Sequence, residues 1–94
     1  MTTLERAIET YGKDMQLTVA VEELSELIKE LCKHKRGSEN REAIIEELAD
    51  CYIMMEQIEI IFNIRNAEIA CKVIEKTERL EKRLEEVSKN ETAP

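Results

Sequence analysis

The sequence predicts an all-α protein: an antiparallel helical bundle of one short N-terminal helix and three longer ones, completed by oligomerisation. Three observations predict it. Helix breakers are nearly missing, with two glycines and a single proline at the last position, Pro94. Charged residues make up 37% and aromatics only 3%, and Glu, Lys, Leu, Ile and Ala dominate, a composition of long helices. The stretch Ile44–Phe62 is apolar around almost its whole circumference when read at 3.6 residues per turn. Such a helix must be buried on more than one side, and a chain of 94 residues supplies few partners of its own. A second copy is therefore expected.

The elements follow in order. Thr2 or Thr3 caps a short helix that stops at Gly12. Asp14 is the expected cap of a second helix over about 15–36. Leu17, Ala20, Val21, Leu24, Leu27, Ile28 and Leu31 give it an apolar stripe, and Glu23, Glu26 and Glu30 an acidic row. Its basic end, Lys33 to Arg36, complements the helix C-terminus. The loop at Gly37–Asn40 is short, so the third helix should run antiparallel beside the second.

The third helix starts near Arg41 and ends near Asn63. Ile44, Leu48, Cys51, Met55, Ile58 and Phe62 share one face, while Glu47 and Asp50 share a flank with Met54 and Ile61. Asn66 is the expected cap of a fourth helix. Its Ala70, Val73, Thr77, Leu80, Leu84 and Val87 alternate by three and four as a short coiled-coil-like seam. The chain reads as a single domain over 1–87, with 88–94 as a flexible tail.

Charge and cysteine usage narrow the function classes. A net charge of −7 argues against nucleic-acid polymers and anionic membranes as partners, and favours cations. Cys32, Cys51 and Cys71 stand singly, which suggests reduced thiols in a cytoplasmic protein, each filling a small core position. No apolar run approaches the roughly 20 residues of a membrane span.

Two constellations can carry chemistry. Glu23 with Glu26, and Glu47 with Asp50, are carboxylate pairs three residues apart on helices expected to be neighbours. Facing one another, four carboxylates repel unless cations sit among them. Oxygen donors select Mg²⁺, Mn²⁺ or Ca²⁺ over Zn²⁺, and the lone histidine, His34, rules against a histidine-rich di-iron site. The competing reading is two solvated helix faces, which the apolar surroundings of Glu47 and Asp50 weigh against. Lys72, Lys76, Arg79 and Arg83 form a basic stripe on the fourth helix, suited to phosphate oxygens or to plain helix pairing with Glu68, Glu75 and Glu78. Gln16, two turns before Glu23, can reach a ligand near the acids or simply face solvent. His34 reads as a surface residue, and Met54 and Met55 as core filler.

Glu22-Glu23-Leu24-Ser25-Glu26-Leu27, followed after about twenty residues by Glu46-Glu47-Leu48-Ala49-Asp50 in an apolar helix, resembles the all-α nucleoside triphosphate pyrophosphohydrolases of the MazG-like group. The resemblance covers about Tyr11 to Leu84. It implies a helical homodimer or dimer of dimers, with Mg²⁺ (or Mn²⁺) held by Glu23, Glu26, Glu47 and Asp50. It implies cleavage of a nucleoside triphosphate to a monophosphate and pyrophosphate, a nucleotide-pool housekeeping role. It also places Lys72, Lys76 and Arg79 on the phosphates. Thr77 stands where members of the group often have asparagine. The chemistry agrees, since phosphoryl transfer needs charge neutralisation and positioning above all, and a metal-bound water needs a base. Glu22 and Glu30 are the candidates for that base. The alternative is a non-enzymatic dimeric adaptor that uses the apolar faces for a partner.

Overall fold

A computed structural model describes residues 1–92, with side chains as far as residue 90. The described residues form four α-helices: α1 (Thr3–Tyr11), α2 (Lys13–Lys35), α3 (Arg41–Ile61) and α4 (Asn66–Thr92). The chain divides into two compact units, Met1–Asn63 and the segment from Ile64 onward. α4 continues past Val87 to Thr92, into the segment expected as a tail. Nothing between Ser88 and Asn90 breaks a helix, and no proline intervenes before position 94. Residues 93–94 of the expected tail lie outside the described residues. No helix among them is long and apolar enough to cross a membrane.

α1 starts with a full capping box. The Glu5 amide donates to the Thr2 hydroxyl at 3.2 Å and the Thr2 amide donates to the Glu5 carboxylate at 3.2 Å. Gly12 then turns the corner at φ 92° and ψ 150°, a conformation essentially reserved for glycine. That corner leads straight into α2, so Gly12 itself occupies the cap position. Asp14 lies in the first turn of α2 and makes no cap bond, contrary to expectation. Likewise Arg65, not Asn66, precedes α4: its amide donates to the Glu68 carboxylate at 2.8 Å, and Asn66 is already helical.

In the first unit α2 packs along α3, and α1 packs against both. Two contacts fix the α2–α3 register as antiparallel. The Cys51 thiol donates to the Glu23 carbonyl at 3.5 Å, and the Asn40 amide donates to the Glu30 carbonyl at 2.8 Å. The core is small: Ile8, Ala20, Cys51 and Met54, with Gln16, Glu30 and Gln57 buried beside them.

Within the first unit α3 is buried along one side, where burial on more than one was expected. Leu48, Met55 and Phe62 are exposed, and the buried side runs through Ile44, Glu47, Cys51, Met54, Gln57 and Ile61. On a helix that is apolar all round, apolarity cannot select a side; the neighbouring helix does. On α2, Ala20, Leu24 and Leu27 turn inward while Val21, Ile28 and Leu31 stay exposed. Cys32 and Cys71 are exposed as well, so only Cys51 fills the core position expected of all three cysteines.

Candidate functional site

The choice of buried side on α3 has a chemical consequence. It carries Glu47 and Asp50 into the α2–α3 interface, where Glu23 of α2 meets them. One ligand atom from each of Glu23, Glu47 and Asp50 lies within 4.8 Å of the others. Glu23 and Glu47 are half-buried, and Glu47 Oε2 is buried with no hydrogen-bond partner. An ionised oxygen left so is costly, since neither water nor a donor compensates its charge.

The electrostatics follow. Burial raises the Glu23 carboxyl above its ordinary range, helped by a proton shared with Asp50 and by the charges of Asp50, Glu47 and Glu26. Burial also raises Glu47, and the charges of Asp50, Glu26, Glu30 and Glu46 add to it. Both glutamates are pushed toward their neutral forms by the loss of water and by their neighbours. The Cys51 thiol beneath them is raised by burial and then by Glu47, Glu23 and Asp50, which keeps it protonated and inert.

The other sequence candidates divide. Glu26 is outside the three-carboxylate group; its side chain is 51% exposed and pairs with Lys29 at 3.9 Å. It acts on the group through its charge alone. Glu22 is exposed. Glu30 is buried and already engaged, accepting from Asn40 at 2.9 Å and pairing with Lys33 at 3.3 Å, and the Asn40 bond chiefly holds its carboxyl below the usual range. A carboxylate held down in that way is a poor proton acceptor, so of the two base candidates Glu30 is the weaker. Gln16 is only 7% exposed, which removes the reading of a solvated glutamine. Lys72, Lys76 and Arg79 belong to the second unit, on α4, where all three are exposed and Lys72 pairs with Glu75 at 3.3 Å.

Two residues that sequence reasoning passed over matter here. Gln57 is 3% exposed and its Oε1 accepts no hydrogen bond. It lies seven residues beyond Asp50 on α3, as Gln16 lies seven before Glu23 on α2. In the antiparallel register these two glutamines share one level, about 10 Å along the helices from the acids. Asn40 is the second: it sits at the head of α3, yet its side chain turns back to Glu30 rather than capping the helix. The equal offsets of the two glutamines were visible in the sequence; the folding back of Asn40 was not.

Half-buried carboxylates with an unpartnered oxygen fit a divalent cation by the chemistry of their donors. No protein-family profile matches the chain, and no curated protein or solved structure matches it either.

Proposed function

We propose that the protein is a Mg²⁺-dependent nucleoside triphosphate pyrophosphohydrolase. The observation that supports this reading best is the meeting of Glu23, Glu47 and Asp50, with ligand atoms within 4.8 Å and Glu47 Oε2 buried without a partner. The likeness of the two acidic motifs to those of the MazG-like group points the same way. Glu23, Glu47 and Asp50 would hold Mg²⁺ or Mn²⁺, and Glu26 would join them by turning its exposed side chain or add its charge from the side. The ion would supply charge neutralisation for the phosphate oxygens and an acidified water. The chain's own residues would orient the triphosphate and accept a proton, with Glu22 the freer base. Lys72, Lys76 and Arg79 would take phosphate oxygens, and a cytoplasmic homo-oligomer would be the working form.

The test is pyrophosphate release across canonical and modified nucleotides with Mg²⁺. Glu47→Gln and Asp50→Asn should each reduce it by at least a hundredfold in a protein that still melts cooperatively. Unchanged release in both variants rejects the reading.

A second reading, a helical adaptor without activity, draws on one observation: the outer face of α3 exposes Ile45, Leu48, Tyr52, Ile53, Met55 and Ile60. A face so apolar suits a protein partner. The two readings part on thermal melting with millimolar Mg²⁺ or Mn²⁺, which raises the midpoint only if the folded acids bind the ion.

A further inference from the structure

α4 poses a problem that the proposed chemistry does not address. It is a 27-residue helix, and every side chain described on it is exposed. Its apolar residues are not scattered. Val73, Leu80 and Val87 recur every seven residues, with Ala70, Thr77 and Leu84 three residues before each. This is a heptad seam with Ala70, Thr77 and Leu84 at a and Val73, Leu80 and Val87 at d. Ile69, Val73, Ile74, Leu80, Leu84 and Val87 are between 40% and 59% exposed. Helices owe most of their stability to packing of such a face, so this stripe needs an occupant.

The charges flanking the seam identify it. At 100° per residue, Lys76 and Arg83 lie along one flank, at g, with Lys72 and Arg79 behind them. Glu81 lies along the other flank, at e, with Glu78 and Glu85 behind it and Ile74 one heptad earlier. One side of the stripe is thus basic and the other acidic. In a parallel pair the g flank of one helix meets the e flank of the other, five residues on. Lys76 then faces Glu81 of the second copy, Ile69 faces its Ile74, and Arg83 faces its Ser88. In an antiparallel pair g meets g, and Lys76 and Arg83 confront their own kind. Like charges there are repulsive, so orientation is specified as well as partner.

We infer that α4 pairs with α4 of a second copy of this chain as a short parallel coiled coil, in register along Val73, Leu80 and Val87. The small residues Ala70 and Thr77 let the backbones approach at the start of the seam. The seam is less than three heptads long, so the pairing belongs to the full chain and is salt-sensitive. Lys72 and Arg79 occupy outer c positions in it and stay available to phosphate, so in the paired form the phosphate role proposed for the basic stripe falls to them and not to Lys76. The inference does not depend on the catalytic reading.

The experiment uses the full chain with the exposed Cys32 and Cys71 changed to serine. Val73→Cys and Val87→Cys are made singly and oxidised mildly, with Glu75→Cys, on the outer face, as reference. Parallel pairing in register brings each d position against itself, so both single variants form covalent dimers at least tenfold faster than Glu75→Cys. In the Val73→Cys protein, adding Lys76→Glu slows cross-linking several-fold at low salt, and adding Glu81→Lys to that restores it. Cross-linking no faster at positions 73 and 87 than at 75, or indifference to the charge exchange, overturns the inference.

Discussion

Glu47 is the residue at which structure and chemistry meet. Its raised carboxyl and its unpartnered oxygen both say that the ionised side chain costs the folded state free energy. The sign of the pH dependence follows. Where a folded carboxyl titrates above its unfolded value, the folded state holds more protons in between, and stability falls as pH rises through that window. For Glu23 and Glu47 the window opens at about 4.5 and extends upward. Glu5 and Glu30, held low by hydrogen bonds from Thr2 and Asn40, act oppositely: their contribution is lost as pH falls below about 4.5. Metal-free protein should therefore melt at a lower temperature at pH 7 than at pH 5, and Mg²⁺ should narrow the difference. Glu47→Gln should raise the metal-free midpoint at pH 7 and remove its response to Mg²⁺. A lowered midpoint would mean that Glu47 is stabilised by groups other than a cation. Gln57 offers a parallel case. Its acceptor is buried without a partner, so Gln57→Met, of similar shape, should leave the midpoint unchanged or raised in thermal melting. Asn40→Ala, which removes the partner of a buried Glu30 carboxylate oxygen, should lower it.

At the scale of the elements, helix order was legible in the sequence and helix faces were not. Gly12, the Gly37–Asn40 loop and the scarcity of breakers placed all four helices, because chain punctuation is a local property. The capping box at Thr2 was half visible for the same reason. Faces depend on neighbours. Ile44–Phe62 is apolar in every direction, so the sequence offered Leu48, Met55 and Phe62 as readily as Met54 and Ile61. Glu47 and Asp50 mark the side that is buried, since they lie beside Glu23 of α2. Regular spacing puts Glu26 on the acidic row with Glu23, and there its half-exposed side chain pairs with Lys29. Gly12 carries its own prediction. Its φ of 92° with ψ of 150° lies where side chains are not tolerated, and a Cβ there would meet no atom within 4 Å. Gly12→Ala should thus cost roughly 1–3 kcal/mol in denaturant unfolding from backbone strain alone. A cost near zero would show that α1 and α2 join with a different corner.

For the molecule as a whole, the exposed apolar residues are the dominant fact. α3 leaves Ile45, Leu48, Tyr52 and Met55 outside, and α2 leaves Val21 and Ile28. A small core of Ile8, Ala20, Cys51 and Met54 accompanies them, which is little for a chain of this length. Association should stabilise such a protein, so the melting midpoint should climb with protein concentration, and Tyr52→Lys with Leu48→Lys should flatten that dependence. Fold class was readable at this scale from composition alone. The four-residue turn between α3 and α4 reads in the sequence as an ordinary helix connection, and the structure places its boundary there, after Asn63.

The proposed function requires that the carboxylates of α2 and α3 bind a divalent cation. Titration with Mn²⁺, followed by the loss of the free-ion electron spin resonance signal, tests it most directly. The account predicts saturable binding by the wild-type chain, competed by Mg²⁺ and reduced at least tenfold in Glu47→Gln. Equal Mn²⁺ uptake by the wild type and Glu47→Gln, or none by either, would contradict it.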